Sequence, residues 1–163
     1  MADRYRDVPS PCFVIEEEKL RKNLELIERV KTGADVEIIP AFKGFSMWGV
    51  FPVLREFVSG ASASSLFEAR LCFEEMKVKA HTYSPAYSPS EFQEILRYSS
   101  HIVFNSMAQF HSFIGLVKLR QGEISVGLRV NPEFSEVRPL IYNACSPGSR
   151  LGIPASRMPD ILP

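Results

Sequence analysis

The sequence predicts an α/β fold of the (β/α) barrel type, incomplete, with about five of its eight strand–helix units. Three observations predict it. Short apolar runs alternate with amphipathic helical stretches from Glu37 to Asn131, which calls for a parallel sheet with helices outside it. The turns recur roughly every twenty to twenty-five residues, as short strand–helix units should. Polar residues gather at the C-terminal end of each run: Lys43, Ser62 and Ser64, Ser84, Asn105 and Ser106, Arg129 and Asn131. A barrel of this class places its site at that end. No Gly-x-Gly-x-x-Gly follows the first run, so a dinucleotide fold loses its main signal.

Taken in order, residues 11–15 read as a short strand and 16–30 as a helix, with Leu20, Leu24 and Ile27 at helical spacing and Gly33 as its C-terminal stop. The run 38–42 delivers Lys43, and a helix follows near 48–58 with Trp48, Phe51, Leu54 and Phe57 on one face and Pro52 in its first turn. The second run, 60–64, is weak. Its helix, 65–76, carries Leu66, Ala69, Cys72, Phe73 and Met76 inward. The third run is 80–83, with a helix from Ser88. The fourth is 101–104, with Phe110, Phe113, Ile114 and Val117 on one face of its helix. The fifth, 124–130, ends at Asn131-Pro132, and a loop-like tail fills 132–163. Three helices open on a capping box: Ser65 with Glu68, Ser88 with Glu91, Ser106 with Gln109. The domain reading is an N-terminal strand and helix over 1–34 and a partial barrel over 35–163. A complete barrel needs about 250 residues, so the chain is expected to be cut short.

Composition narrows the function. The 19 basic and 19 acidic residues cancel, which offers no basic field for nucleic acid and no charge run for an anionic membrane. Cys12, Cys72 and Cys145 are far apart, odd in number and without zinc spacing, so a reduced, cytoplasmic setting and no metal are expected. The N-terminus lacks the apolar core of a secretory signal, and no apolar stretch reaches membrane length. Lys43 is the first chemical candidate. A lysine at the end of an apolar strand can lose hydration, and a deprotonated amine can form a Schiff base with an aldehyde. The plainer alternative is a strand-end lysine reaching water along its alkyl stem. His81, His101 and His111 are scattered along the chain and suit strand-start or surface roles.

Five ordered segments add up to a family. The pattern PxFVIxxxxLxxN at 11–23 and the strand ending in Lys43 resemble the pyridoxal-phosphate enzymes of the alanine racemase and ornithine decarboxylase fold type. Within that type, AFKGFSMWGVFPVLREFVSGASASSLFEARL, HTYSPAYSPSEF, HIVFNS, GLRVNPEFSEV and YNACSPGSRLG resemble the carboxynorspermidine (carboxyspermidine) decarboxylases, over about 8–152. The resemblance implies a homodimeric, pyridoxal 5'-phosphate-dependent enzyme that decarboxylates carboxynorspermidine or carboxyspermidine to norspermidine or spermidine in polyamine biosynthesis. This chain would be its N-terminal part, without the C-terminal β domain. Lys43 matches the Schiff-base lysine, Arg129 an arginine near the cofactor, and Glu68 the acid after the second strand. Arg129 has the alternative of pairing with a barrel carboxylate, and Glu68 that of serving only its cap. Two other readings stand beside the enzyme: an inactive truncated fragment, or another protein of this fold type, diaminopimelate decarboxylase or racemase-like.

Overall fold

The computed structural model describes residues 5–120 and 122–160. The outer residues of the expected N-terminal unit and tail, 1–4 and 161–163, lie outside the described residues.

Helix α1 spans Glu17–Ala34. Glu17 and Glu18 in its first turn and Lys31 in its last complement the helix dipole, and Arg21–Glu17 and Lys22–Glu18 close i,i+4 pairs at 2.9 Å each. Its apolar stripe buries Leu24 with Leu20 and Ile27 beside it, in one core with Phe42, Phe51 and Leu54. The helix runs through Gly33, the expected stop. Asp35 ends it instead, in the left-handed conformation at φ 52°. Aspartate tolerates that conformation better than most side chains.

Residues 11–15 form no strand. Nothing among the described residues pairs with them, and Phe13 is 96% exposed. Strand propensity without a neighbouring edge yields no ladder. The run 38–42 gives one bridge, Ala41 to Ser62, with Ser62 N–H donating to Pro40 O at 2.8 Å and Phe42 N–H to Ser62 O at 3.1 Å. Pro40 has no N–H to extend the ladder, which confines it to an edge.

The expected helix at 48–58 is a 3-10 turn, Trp48–Val50, followed by α2 at Phe51–Leu54. Trp48 is 63% exposed and so lies off the inward face, because the 3-10 turn breaks the helical register ahead of Phe51. Phe51 is buried and stacks on Phe42 at 5.0 Å.

The parallel sheet follows as expected. Strands β1 (Ser62–Ala63), β2 (Ala80–Tyr83), β3 (Ser99–Phe104) and β4 (Ser125–Leu128) lie in that order. Ser62 pairs with His81, His81 with His101, and His101 with Ser125. Helices α3 (Leu66–Leu71), α4 (Pro89–Tyr98) and α5 (Met107–Lys118) connect them. A π-helical turn, Cys72–Met76, extends α3. Cys72 and Met76 are buried, whereas Phe73, expected inward, is 45% exposed and leans on Tyr98 with ring centroids 5.5 Å apart. The widened turn rotates Phe73 off the inner face.

The tail is not all loop. After β4, strand β5 (Val130–Asn131) pairs in parallel with β6 (Ile153–Pro154). Among the described residues, β6 thus adds a sixth strand position to the five expected runs. Two-residue β6 is too short to show a period in sequence.

Packing on the helix side is aromatic. Phe92, Phe104, Phe113 and Tyr87 form one cluster, with Phe92 and Phe113 stacked at 4.2 Å. Thr82 and Ser99 are buried there and satisfied: their hydroxyls meet at 2.7 Å, and Ser99 donates to Ile95 O at 2.8 Å, so Thr82 supplies the other proton.

Candidate functional site

Side chains alternate across a strand. Ala80, Thr82, Ile102 and Phe104 are buried under the helices, and His81, Tyr83, His101 and Val103 take the other, half-open face. That face carries His81, His101 and Ser125 in one row, Tyr83, Val103 and Gly127 in the next. Asn105 and Arg129 follow one residue past β3 and β4.

Lys43 stands at the same end. It lies two residues past Ala41, in a turn closed by Gly44 N–H and Phe45 N–H on Ala41 O at 2.9 and 3.1 Å. Buried Phe42 anchors the turn from one side and half-buried Phe45 from the other. Lys43 itself is exposed. The expected dehydration of its amine is thus corrected: the face beside it is open to water. Among the described residues no acid pairs with it. Lys43 and Arg129 sit at opposite margins of the sheet, four strand steps apart, which is roughly 19 Å on a flat sheet and less on a curled one.

Arg129 links two ladders. Its N–H donates to Phe104 O at 2.9 Å, and its carbonyl accepts from Ile153 N–H at 2.8 Å. Its guanidinium lies 4.8 Å from the centre of the Tyr83 ring. No carboxylate among the described residues pairs with it. The alternative of an ion pair inside the barrel is therefore not what the structure shows.

Glu68 is engaged at the head of α3. Its N–H donates to Ser65 Oγ at 3.2 Å, and its carboxylate accepts from Ser64 N–H at 2.6 Å. Gln109 repeats the arrangement on α5, with Ser106 Oγ at 3.1 Å and Asn105 N–H at 2.6 Å. Both boxes reach one residue further back than the usual motif. The third box does not form. Ser88 Oγ is taken by Ser90 Oγ at 2.7 Å, and Glu91 N–H goes to the Ser88 carbonyl at 3.1 Å. A second serine in the first turn competes for the cap.

The histidines are less scattered than the chain suggests. His81 and His101, opposed across β2 and β3, stack with centroids 3.7 Å apart. Burial, then the charge of His101, lowers the His81 pKa from its ordinary 6.5. His111 is exposed. Asn131 is buried, and its Oδ1 closes a turn by accepting from Glu133 N–H at 2.9 Å. Sequence reasoning missed Tyr83. The available signal was its place, in phase with His81 at the end of a strand whose alternate residues are small and buried.

The site thus offers two cations without carboxylate partners, Lys43 and Arg129, at the C-terminal ends of parallel strands. Each suits one part of such chemistry: an exposed amine can hold an electrophilic carbon, and a guanidinium can hold an anionic group.

Comparison with known proteins follows the same lines. No protein-family model matches the chain. It is 45% identical over 160 residues to carboxyaminopropylagmatine decarboxylase of Synechocystis, covering 98% of this chain and 41% of that protein. It is 40% identical over 157 residues to carboxynorspermidine/carboxyspermidine decarboxylase of Campylobacter jejuni, covering 96% of this chain and 40% of that protein. Among solved structures, the C. jejuni carboxynorspermidine decarboxylase complexed with norspermidine superposes with a TM-score of 0.83 at 38% identity, over 94% of this chain and 38% of that one. The chain therefore spans about two fifths of the length of the relatives it matches.

Proposed function

We propose that this chain carries the cofactor-lysine portion of a pyridoxal 5'-phosphate-dependent decarboxylase of carboxylated polyamines. Support comes from relatives named as such decarboxylases, and the observation that carries the reading is the pair of carboxylate-free cations at the strand tips. Pyridoxal phosphate, when bound, supplies an electron-withdrawing ring that takes up the electron pair released as carbon dioxide leaves. The chain's residues would do the rest. Lys43, raised on a turn between Phe42 and Phe45, presents its amine to hold the aldehyde carbon. Arg129 places positive charge over the Tyr83 ring, where an anionic group is attracted. Glu68 steadies the Ser64–Ser65 turn beside them.

Carboxyaminopropylagmatine joins carboxynorspermidine and carboxyspermidine as a candidate substrate, because the relative named for it shares the higher identity. A homodimer in the cytoplasm is the setting this reading expects. Among the described residues no helix is long and apolar enough to cross a membrane.

Two measurements test the proposal. The chain is incubated with pyridoxal phosphate, reduced with borohydride and mapped by mass. A label on Lys43 is expected, and a folded sample with no label at Lys43 refutes the cofactor role. Carbon dioxide release is then measured on the three carboxylated polyamines and on diaminopimelate. Release from a carboxylated polyamine is expected. A Lys43 label without release from any of them marks a cofactor-binding but inactive fragment.

A further inference from the structure

We infer that Asn105 and Tyr83 act together as positioning residues that set where the Arg129 guanidinium stands, an inference that rests on Arg129 being an anion-holding group. Asn105 is buried at the first residue past β3 and makes three side-chain hydrogen bonds, one to the end of β2 and two to the turn before β6. Its Oδ1 accepts from the Tyr83 hydroxyl at 2.8 Å and from Gly152 N–H at 2.8 Å, and its Nδ2 donates to Arg150 O at 2.8 Å. The chemistry fixes the amide's orientation. Gly152 N–H can only donate and Arg150 O can only accept, so the oxygen must face Gly152 and the nitrogen Arg150. The same oxygen then takes the Tyr83 hydroxyl proton.

The consequence runs outward to Arg129. Tyr83 is half-buried on a sheet face without helices, where an untethered ring is free to change rotamer. The bond to Asn105 holds its far end and so fixes the plane on which the guanidinium rests, 4.8 Å from the ring centre. Gly152 confines the other end of the arginine: a Cβ there would stand 3.1 Å from Arg129 Cγ. Head and stem of one side chain are thus bounded by two groups, both hydrogen-bonded to one buried oxygen.

The test reads the guanidinium directly as well as binding. In the folded full chain, the Arg129 Nε–H proton resonance is expected to lie upfield through the Tyr83 ring current. Tyr83→Leu removes the ring and collapses that shift, identifying it. Tyr83→Phe keeps the ring and loses only the tether, so the shift is expected to shrink; Asn105→Ala is expected to do the same. Affinity for pyridoxal phosphate should fall about threefold to tenfold in both tether variants, in step with the shift. If Tyr83→Phe keeps the wild-type shift, the positioning role is overturned, and this variant serves even where Asn105→Ala fails to fold. If the shift shrinks while Arg129→Ala leaves pyridoxal phosphate affinity unchanged, the positioning stands and Arg129's cofactor role is overturned instead.

Discussion

Replacing Gly152 by alanine tests the close approach on which Arg129 depends. Gly152 has φ +85°, and a Cβ built there would lie 2.9 Å from Asn131 N, 3.1 Å from Arg129 O and 3.1 Å from Arg129 Cγ. Two of these atoms are backbone, so the clash is relieved only by moving β5 away from the turn before β6. The left-handed conformation costs an alanine about 1–2 kcal/mol, and overpacking against an unyielding wall adds about 1–3 kcal/mol. Together they destabilise by about 2–5 kcal/mol, which at an ordinary urea dependence lowers the unfolding midpoint by about 1–2 M. Gly148 is the control. It has φ +79° but nothing within 4 Å of the point where a methyl would stand, so Gly148→Ala should show only the conformational part, about 1–2 kcal/mol. The assay is urea unfolding of both variants followed by circular dichroism. Equal loss in the two would refute the argument, because it would leave no cost for the approach of 152 to 129.

Three further outcomes follow. Lys43→Ala should abolish borohydride labelling by pyridoxal phosphate while leaving the unfolding midpoint unchanged, since Lys43 is exposed and makes no ion pair among the described residues. Ser106→Ala should cost about 1 kcal/mol through its lost cap, and Ser88→Ala distinctly less, because Ser88 Oγ caps nothing; equal losses by urea titration would contradict the hydrogen bonds described. His81 binds its proton less readily folded than unfolded, so its contribution to stability is present above the ordinary value of 6.5 and is lost as the pH falls through the lower folded value. The midpoint measured against pH should therefore drop on the acid side, and His81→Gln should flatten that drop.

Much of the fold was legible because hydrophobic period reports burial. Ala80–Tyr83 stands where the pattern placed it, and α5 buries Phe113 and Val117 as their spacing required. The misreadings share a cause, which is that pattern reports propensity and not partners. Residues 11–15 have the composition of a strand and no edge to join. Ser88 has the spacing of a cap, but Ser90 competes for its hydroxyl. At the site, Lys43 and Arg129 were visible as charges interrupting apolar runs. Their surroundings were not, since the Tyr83 ring, the Asn105 amide and the Gly152 turn meet only through pairings separated by 22 and 47 positions along the chain.

The main chain at Arg129 gives its N–H to one neighbour and its carbonyl to another on the far side, and neither bond involves the guanidinium. Architecture and charge are therefore separable at this position. Truncating the side chain leaves both seams stitched, whereas a proline, which brings no N–H, cuts the one to Phe104 while the arginine's charge is also lost. Contrasting those two replacements would divide what residue 129 does as a joint from what it does as a cation.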